Sequence, residues 1–121
     1  SGIAVDAGNS NIVLINTGDF DHSQGYSHGI FRSTDGGSTW NTTSLNFSSP
    51  SYVRGGKIEF VPGSSTNAFA ISHSGMYRSV NGGLNWTKMQ NPNSENVNHI
   101  TKKPNGSVYM VGNNGVIIKV R

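Results

Sequence analysis

The stretch Gly29–Trp40 reads GIFRSTDGGSTW, and forty-six positions further on Gly75–Trp86 reads GMYRSVNGGLNW. A glycine turn held between two aromatic-bearing strands, and then used again, restricts the fold more than any other feature of the chain. Asp35-Gly36 and Asn81-Gly82 are hairpin signals when strands flank them. The glycines allow positive φ, and the Asp35 carboxylate can accept hydrogen bonds from N–H groups of its own turn. Ser33 and Thr39 supply local hydroxyls, and Trp40 is expected to pack beneath the turn as an apolar plug.

The repetition reaches beyond the turn. The first unit runs GIAVDAGNSN, IVLINTGD, GIFRS, turn, TWNTTSL; the second runs GGKIEFVPGSSTN, AFAISH, GMYRS, turn, NWTKM. A third begins VNHITKKPNG, SVYMVGNN, GVIIKVR. DAGNSN, PGSSTN and KPNGS fall in the same slot and are turns by composition. The second strand of each unit is almost wholly apolar, as a strand covered on both faces should be. No segment has a helical period or a cap followed by an apolar stripe. Four-strand units recurring every forty to fifty residues or so are the pattern of β-propeller blades. The expectation is an all-β chain of four-stranded antiparallel sheets in one segment, 1–121. Blade one covers 1–46, blade two 47–92, and a partial blade three 93–121. A β-sandwich with two similar hairpins is the alternative.

Composition agrees. Of 121 residues, 33% are hydrophobic and 12% charged, with 16 glycines, which suits short apolar strands between polar turns. The net charge of +3 comes from scattered cations, with Lys102-Lys103 the one adjacent pair. That is no basic stripe with interleaved aromatics, so nucleic acid is not an expected partner. No apolar run reaches the roughly 20 residues of a membrane span. With no cysteine, disulfide scaffolds and thiolate metal sites are excluded.

Ser33, Asp35, Gly37, Thr39 and Trp40 together resemble the Asp-box, or BNR repeat, of sialidases, xyloglucan-specific hydrolases, sortilin-type receptors and photosystem assembly propellers. The second copy keeps Ser79, Gly83 and Trp86 and departs at Asn81 and Asn85, where the box has Asp and Thr. Asn keeps the turn-forming oxygen with weaker hydrogen bonds. The lead strand IAVDAGNSN is similar to that of xyloglucanase-like propellers and of secreted bacterial repeat proteins exported by type IX secretion. The resemblance implies a secreted or cell-surface bacterial protein. It also implies that the box is structural, on an outer hairpin away from the binding face.

Chemistry must then be sought elsewhere. Asp6 and Asp35 read as turn residues, Glu59 lies in a strand, and Glu95 lies in a polar linker. Asp19 and Asp21 remain, in the long loop NTGDFDHSQGYSHG. There Asp21, His22, Tyr26 and His28 suit hydrogen bonding and stacking on a sugar, and long loops tend to carry function. Asp21, His22 and His28 match no established metal-ligand spacing, so no metal and no cofactor are expected. A glycosidase needs two opposed carboxylates. Resemblance to the xyloglucanases makes Asp19 the catalytic candidate, with its partner outside this chain. A sialidase arginine triad does not assemble, because Arg32 and Arg78 belong to the blade pattern.

Aligning Gly115 with Gly29 and Gly75 puts Lys119 at the position of Ser33, so the third unit stops where its box would start. About two and three-quarter blades make an incomplete propeller. The expected partners are the remaining blades of a larger ring or other copies of the chain, with a glycan or a protein as ligand. The function expected is non-catalytic binding or scaffolding, and the alternative is part of an extracellular glycoside hydrolase.

Overall fold

The computed structural model describes residues 2–18, 27–51, 55–72, 75–90, 97–112, 115 and 117–121. Among the described residues eleven strands form three antiparallel sheets, and no α-helix occurs. Sheet one is β1 (Gly2–Val5), β2 (Val13–Asn16), β3 (Ser27–Ser33) and β4 (Asn41–Ser51), paired in that order. Sheet two is β5 (Gly55–Phe60), β6 (Ala68–Ser72), β7 (Gly75–Ser79) and β8 (Thr87–Met89). Sheet three has β9 (Val97–Lys102), β10 (Val108–Gly112) and β11 (Ile117–Lys119). Each sheet is a meander, the arrangement of a propeller blade.

Registers make the sheets superimposable position by position. Ile3 pairs with Ile15, Ile58 with Ala70, and Ile100 with Met110, so the three isoleucines are equivalent. Leu14, Phe69 and Tyr109 correspond likewise, opposite Arg32, Arg78 and Lys119. This corrects the sequence alignment on Gly115: Lys119 takes the place of Arg32, and Val120 that of Ser33. The pairing fixes this register, since Val120 N–H donates to the carbonyl of the buried Val108.

The sheets stack through their first strands, β1 on β5 and β5 on β9. The approach is close at the inner edge, where a Cβ on Gly2 would lie 2.5 Å from the Gly56 carbonyl oxygen. Two apolar layers fill the junctions. Between sheets one and two lie Ala4, Leu14, Ile30, Ile58, Phe60, Ala68 and Ala70. Between sheets two and three lie Val61, Phe69, Ile71, Met76, Val97, Ile100, Val108 and Met110. Each large side chain buried there contributes roughly 1.5–3 kcal/mol, so the junctions carry most of the stabilisation. The buried Asn16 adds a polar link, its amide donating to the Ile71 carbonyl at 3.0 Å.

The second strands are covered as their sequences lead one to expect, but not equally. All of β6 is buried, being sandwiched between two neighbours. Only Val108 and Met110 are fully buried in β10, because one face of sheet three has none of the described sheets against it.

Candidate functional site

A meander puts successive turns at opposite ends of a sheet, so the two recognisable features of sheet one lie far apart. The glycine turn between β3 and β4 shares one end with the β1–β2 turn. The segment between β2 and β3 emerges at the other.

At the first end, the turn is built around one carboxylate. Ser33 Oγ donates to Asp35 Oδ1 at 2.8 Å and accepts from the N–H of Gly37 at 2.8 Å. Thr39 N–H donates to Asp35 Oδ1 at 2.8 Å, and the Thr39 hydroxyl donates to Oδ2. These donors favour the ionised form. The Asp35 carboxyl is held down from 3.8 to about 2, first by the Thr39 hydroxyl, then by the Thr39 N–H and the Ser33 hydroxyl. The second turn repeats the pattern without charge. Ser79 Oγ donates to Asn81 Oδ1 at 3.1 Å, and Asn85 N–H donates to the same oxygen at 2.9 Å. The Asn81 amide then donates to Asn85 Oδ1 at 2.7 Å. Paired substitution at Asn81 and Asn85 therefore preserves the hydrogen-bond ring. Both turns also dock on the neighbouring turn of their own sheet, Gly36 N–H on the Asn11 carbonyl and Gly82 N–H on the Thr66 carbonyl.

The second turn does something its sequence did not announce: it locks onto sheet one. Arg32 Nε donates to the Gly82 carbonyl at 2.9 Å, and Ser44 N–H donates to the Leu84 carbonyl at 3.0 Å. Trp86 N–H donates to Ser44 Oγ at 2.7 Å. Gly83, at φ 91°, lies flat against Leu14. Trp86 is half-buried in the junction, with its indole N–H on the Gly83 carbonyl. Trp40, expected as a plug, packs against Gly37 yet stays 37% exposed, since none of the described sheets lies against that side of sheet one. A single sequence cannot show which tryptophan has a neighbour. Arg78, equivalent to Arg32, lies 5.9 Å from the centre of the Phe69 ring. It borders an open hollow of about 380 Å³ with Val80, Asn85, Thr87 and Met89.

Most of the sequence candidates fall within residues 19–26, between β2 and β3 in the chain. Asp19, Asp21, His22 and Tyr26 lie outside the described residues, as does Glu95. The flanks of that segment are well defined. Thr17 Oγ1 donates to the Gly29 carbonyl at 2.7 Å and accepts from the His28 N–H at 2.9 Å. Ser27 Oγ accepts from the Gly29 N–H at 2.9 Å, and Thr17 N–H also reaches the Gly29 carbonyl. Gly29 turns at φ 94°, its α-carbon against the Leu45 carbonyl. His28 leaves this neck exposed.

The described carboxylates are all engaged. Asp6 is buried and caps its turn, accepting from Gly8 N–H at 2.9 Å and from Ser65 of sheet two at 3.0 Å. Glu59 pairs with Lys102 of β9 at 2.9 Å. Among the described residues no three His, Asp or Glu side chains group as metal ligands, and no helix is long and apolar enough to cross a membrane.

No protein-family model and no characterised protein sequence matches the chain. Solved structures do. An ancestral GH74 enzyme aligns over 98% of this chain and 20% of its own, at TM-score 0.69 and 25% identity. YCF48 bound to D1 peptide aligns over 98% and 36% of the two chains, at TM-score 0.67 and 19% identity. YCF48 from Cyanidioschyzon merolae aligns over 98% and 35%, at TM-score 0.61 and 20% identity. These are β-propeller proteins, and the chain spans only a fifth to about a third of their lengths. The fold is therefore part of a propeller, with three blades in series.

Proposed function

We propose that the chain is a non-catalytic, Asp-box type propeller segment of a secreted or cell-surface bacterial protein, and that it binds a glycan or a protein. The ligand is held at the end of sheet one that carries residues 19–26. The neck of Thr17, Ser27, His28 and Gly29 carries this reading, because a binding segment works best when rigid strands anchor both its ends. Asp6, Asp35 and Glu59 support it too, since each is already committed to a turn or an ion pair. In the box reading, Ser33, Asp35, Gly37, Thr39 and Trp40, with Ser79, Asn81, Gly83 and Trp86, are structural. A peptide is the ligand in one YCF48 structure, which favours a protein ligand as much as a glycan.

The GH74 neighbour favours a second reading, part of a glycoside hydrolase with Asp19 as one carboxylate and the other supplied from outside this chain. Titration calorimetry with xyloglucan oligosaccharides, run beside a reducing-sugar assay, separates the two. The binding reading expects affinity without turnover, and a loss of that affinity when Tyr26 and His28 are replaced by alanine. Turnover that vanishes in Asp19→Asn would replace it with the hydrolase reading.

A further inference from the structure

A meander brings the β1–β2 turn and the β5–β6 turn to the same end of their sheets, opposite the neck of Thr17 and Gly29. A hollow of about 140 Å³ lies where those two turns meet. Its walls include Ala7, Phe60 and Pro62, and Lys102 of β9 borders it. Asp6 lines it too, only 2% exposed, with one carboxylate oxygen served and the other not. Oδ1 accepts from the Gly8 N–H at 2.9 Å and from the Ser65 hydroxyl at 3.0 Å. Oδ2 has no donor among the described residues, and it is not sealed off, since every fully enclosed polar side-chain atom among them has a partner. Oδ2 therefore opens on the hollow. A carboxylate oxygen drawn out of water without a donor is costly, so a ligand that brings one is favoured there.

We propose that this hollow binds a primary alkylammonium group, brought by a lysyl side chain of a partner or by a free amine. Charge, donor geometry and size select that chemistry. Lys102 is paired with Glu59 at 2.9 Å, which leaves the Asp6 carboxylate as the unbalanced charge of the site. Oδ1 already holds two hydrogen bonds, so the two-pronged fork of a guanidinium finds one free oxygen where it needs two. An ammonium is a point donor and needs only Oδ2. A second of its protons suits Ser65 Oγ, whose own hydrogen is committed to Asp6. The apolar walls at Ala7, Phe60 and Pro62 suit an aliphatic stem behind the charged head. At about 30 Å³ for one water, the hollow takes roughly four or five non-hydrogen atoms, close to the number in a lysine side chain.

The test is amide NMR of the 121-residue chain, titrated in parallel with n-butylammonium chloride, n-butanol and sodium chloride. With n-butylammonium, the Gly8 and Ser65 amides are expected to shift saturably, in the millimolar range that suits so few atoms. Affinity is expected to fall at least about tenfold for n-butanol, and equally for n-butylammonium on Asp6→Asn. Asparagine keeps an oxygen for the Gly8 N–H and the Ser65 hydroxyl, so the variant should retain the β-sheet circular dichroism. N-acetyl-lysine methylamide, run against its norleucine counterpart, separates the two sources. Binding of the lysine derivative alone assigns the site to a lysyl side chain, and its exclusion while n-butylammonium binds assigns the site to a free amine. No saturable shift with n-butylammonium overturns the proposal, as do the same shifts with sodium chloride. Equal affinity for n-butanol overturns it too, whether or not Asp6→Asn folds, and so does undiminished binding to a folded Asp6→Asn.

Discussion

Replacing Gly83 by alanine tests the lock between sheets one and two. Its new methyl would stand 2.5 and 2.8 Å from the two Leu14 methyls and 3.2 Å from Leu14 Cγ, and φ 91° is a conformation that alanine resists. Leu14 is fully buried, so it has no free space to retreat into. Overpacking costs about 1–3 kcal/mol, and the left-handed backbone about 1 kcal/mol more. Leu14→Ala alone creates a cavity at a cost of about 3 kcal/mol. If the two sites were independent, the double variant would lose the sum. In contact, the alanine at 14 removes the clash and the alanine at 83 refills part of the cavity, so the double variant recovers about 2 kcal/mol of that sum. The assay is urea unfolding of all four proteins, with a fixed concentration of trimethylamine oxide to keep the weakest folded. Additivity within about 0.5 kcal/mol would refute the argument that the second turn is seated on Leu14.

Three further outcomes are expected. Asp35 is a carboxyl whose folded value lies below its unfolded one, so its contribution is full above about pH 4 and disappears as pH falls toward 2. In carbon-detected NMR its carboxyl should titrate near pH 2, and Asp35→Asn should make the loss of stability between pH 4 and 2 shallower. Gly29→Ala should cost more than about 2 kcal/mol in urea melts, because its Cβ would strike the Leu45 carbonyl oxygen and come 2.7 Å from Asn46 Cα, both backbone atoms. Asn16→Ala should cost about 1–3 kcal/mol by the same method, since it strips the buried Ile71 carbonyl of its donor.

The fold was legible because turn chemistry is local. Asp35 with Thr39, and Asn81 with Asn85, sit four residues apart, and their bonds follow from the residue types and that spacing. The apolar second strands and the three turn slots were readable for the same reason. The junctions were not. Nothing near Leu14 or Arg32 in the sequence says that they meet Gly82 and Gly83, roughly fifty residues or more away. Nor does anything distinguish the half-buried Trp86 from the exposed Trp40. The fourth strand of the first unit was legible as TWNTTSL, but not its full length, since β4 runs on through Asn, Ser and Pro to Ser51 by pairing with β3. The candidate residues Asp21, His22 and Tyr26 were suggested by chemistry alone, with no spacing to fix their geometry.

Asn16 bridging to Ile71, Asp6 to Ser65, and Arg32 to Gly82 all tie one sheet to the next in line. Energetically this makes the protein a short one-dimensional array, in which each member is weak alone and nearest-neighbour coupling supplies cooperativity. Melting then behaves as in a repeat array. Weakening a strand within a sheet lowers the single transition, but weakening a junction divides it in two. The middle sheet, coupled on both sides, should be the last to exchange its amide hydrogens with solvent.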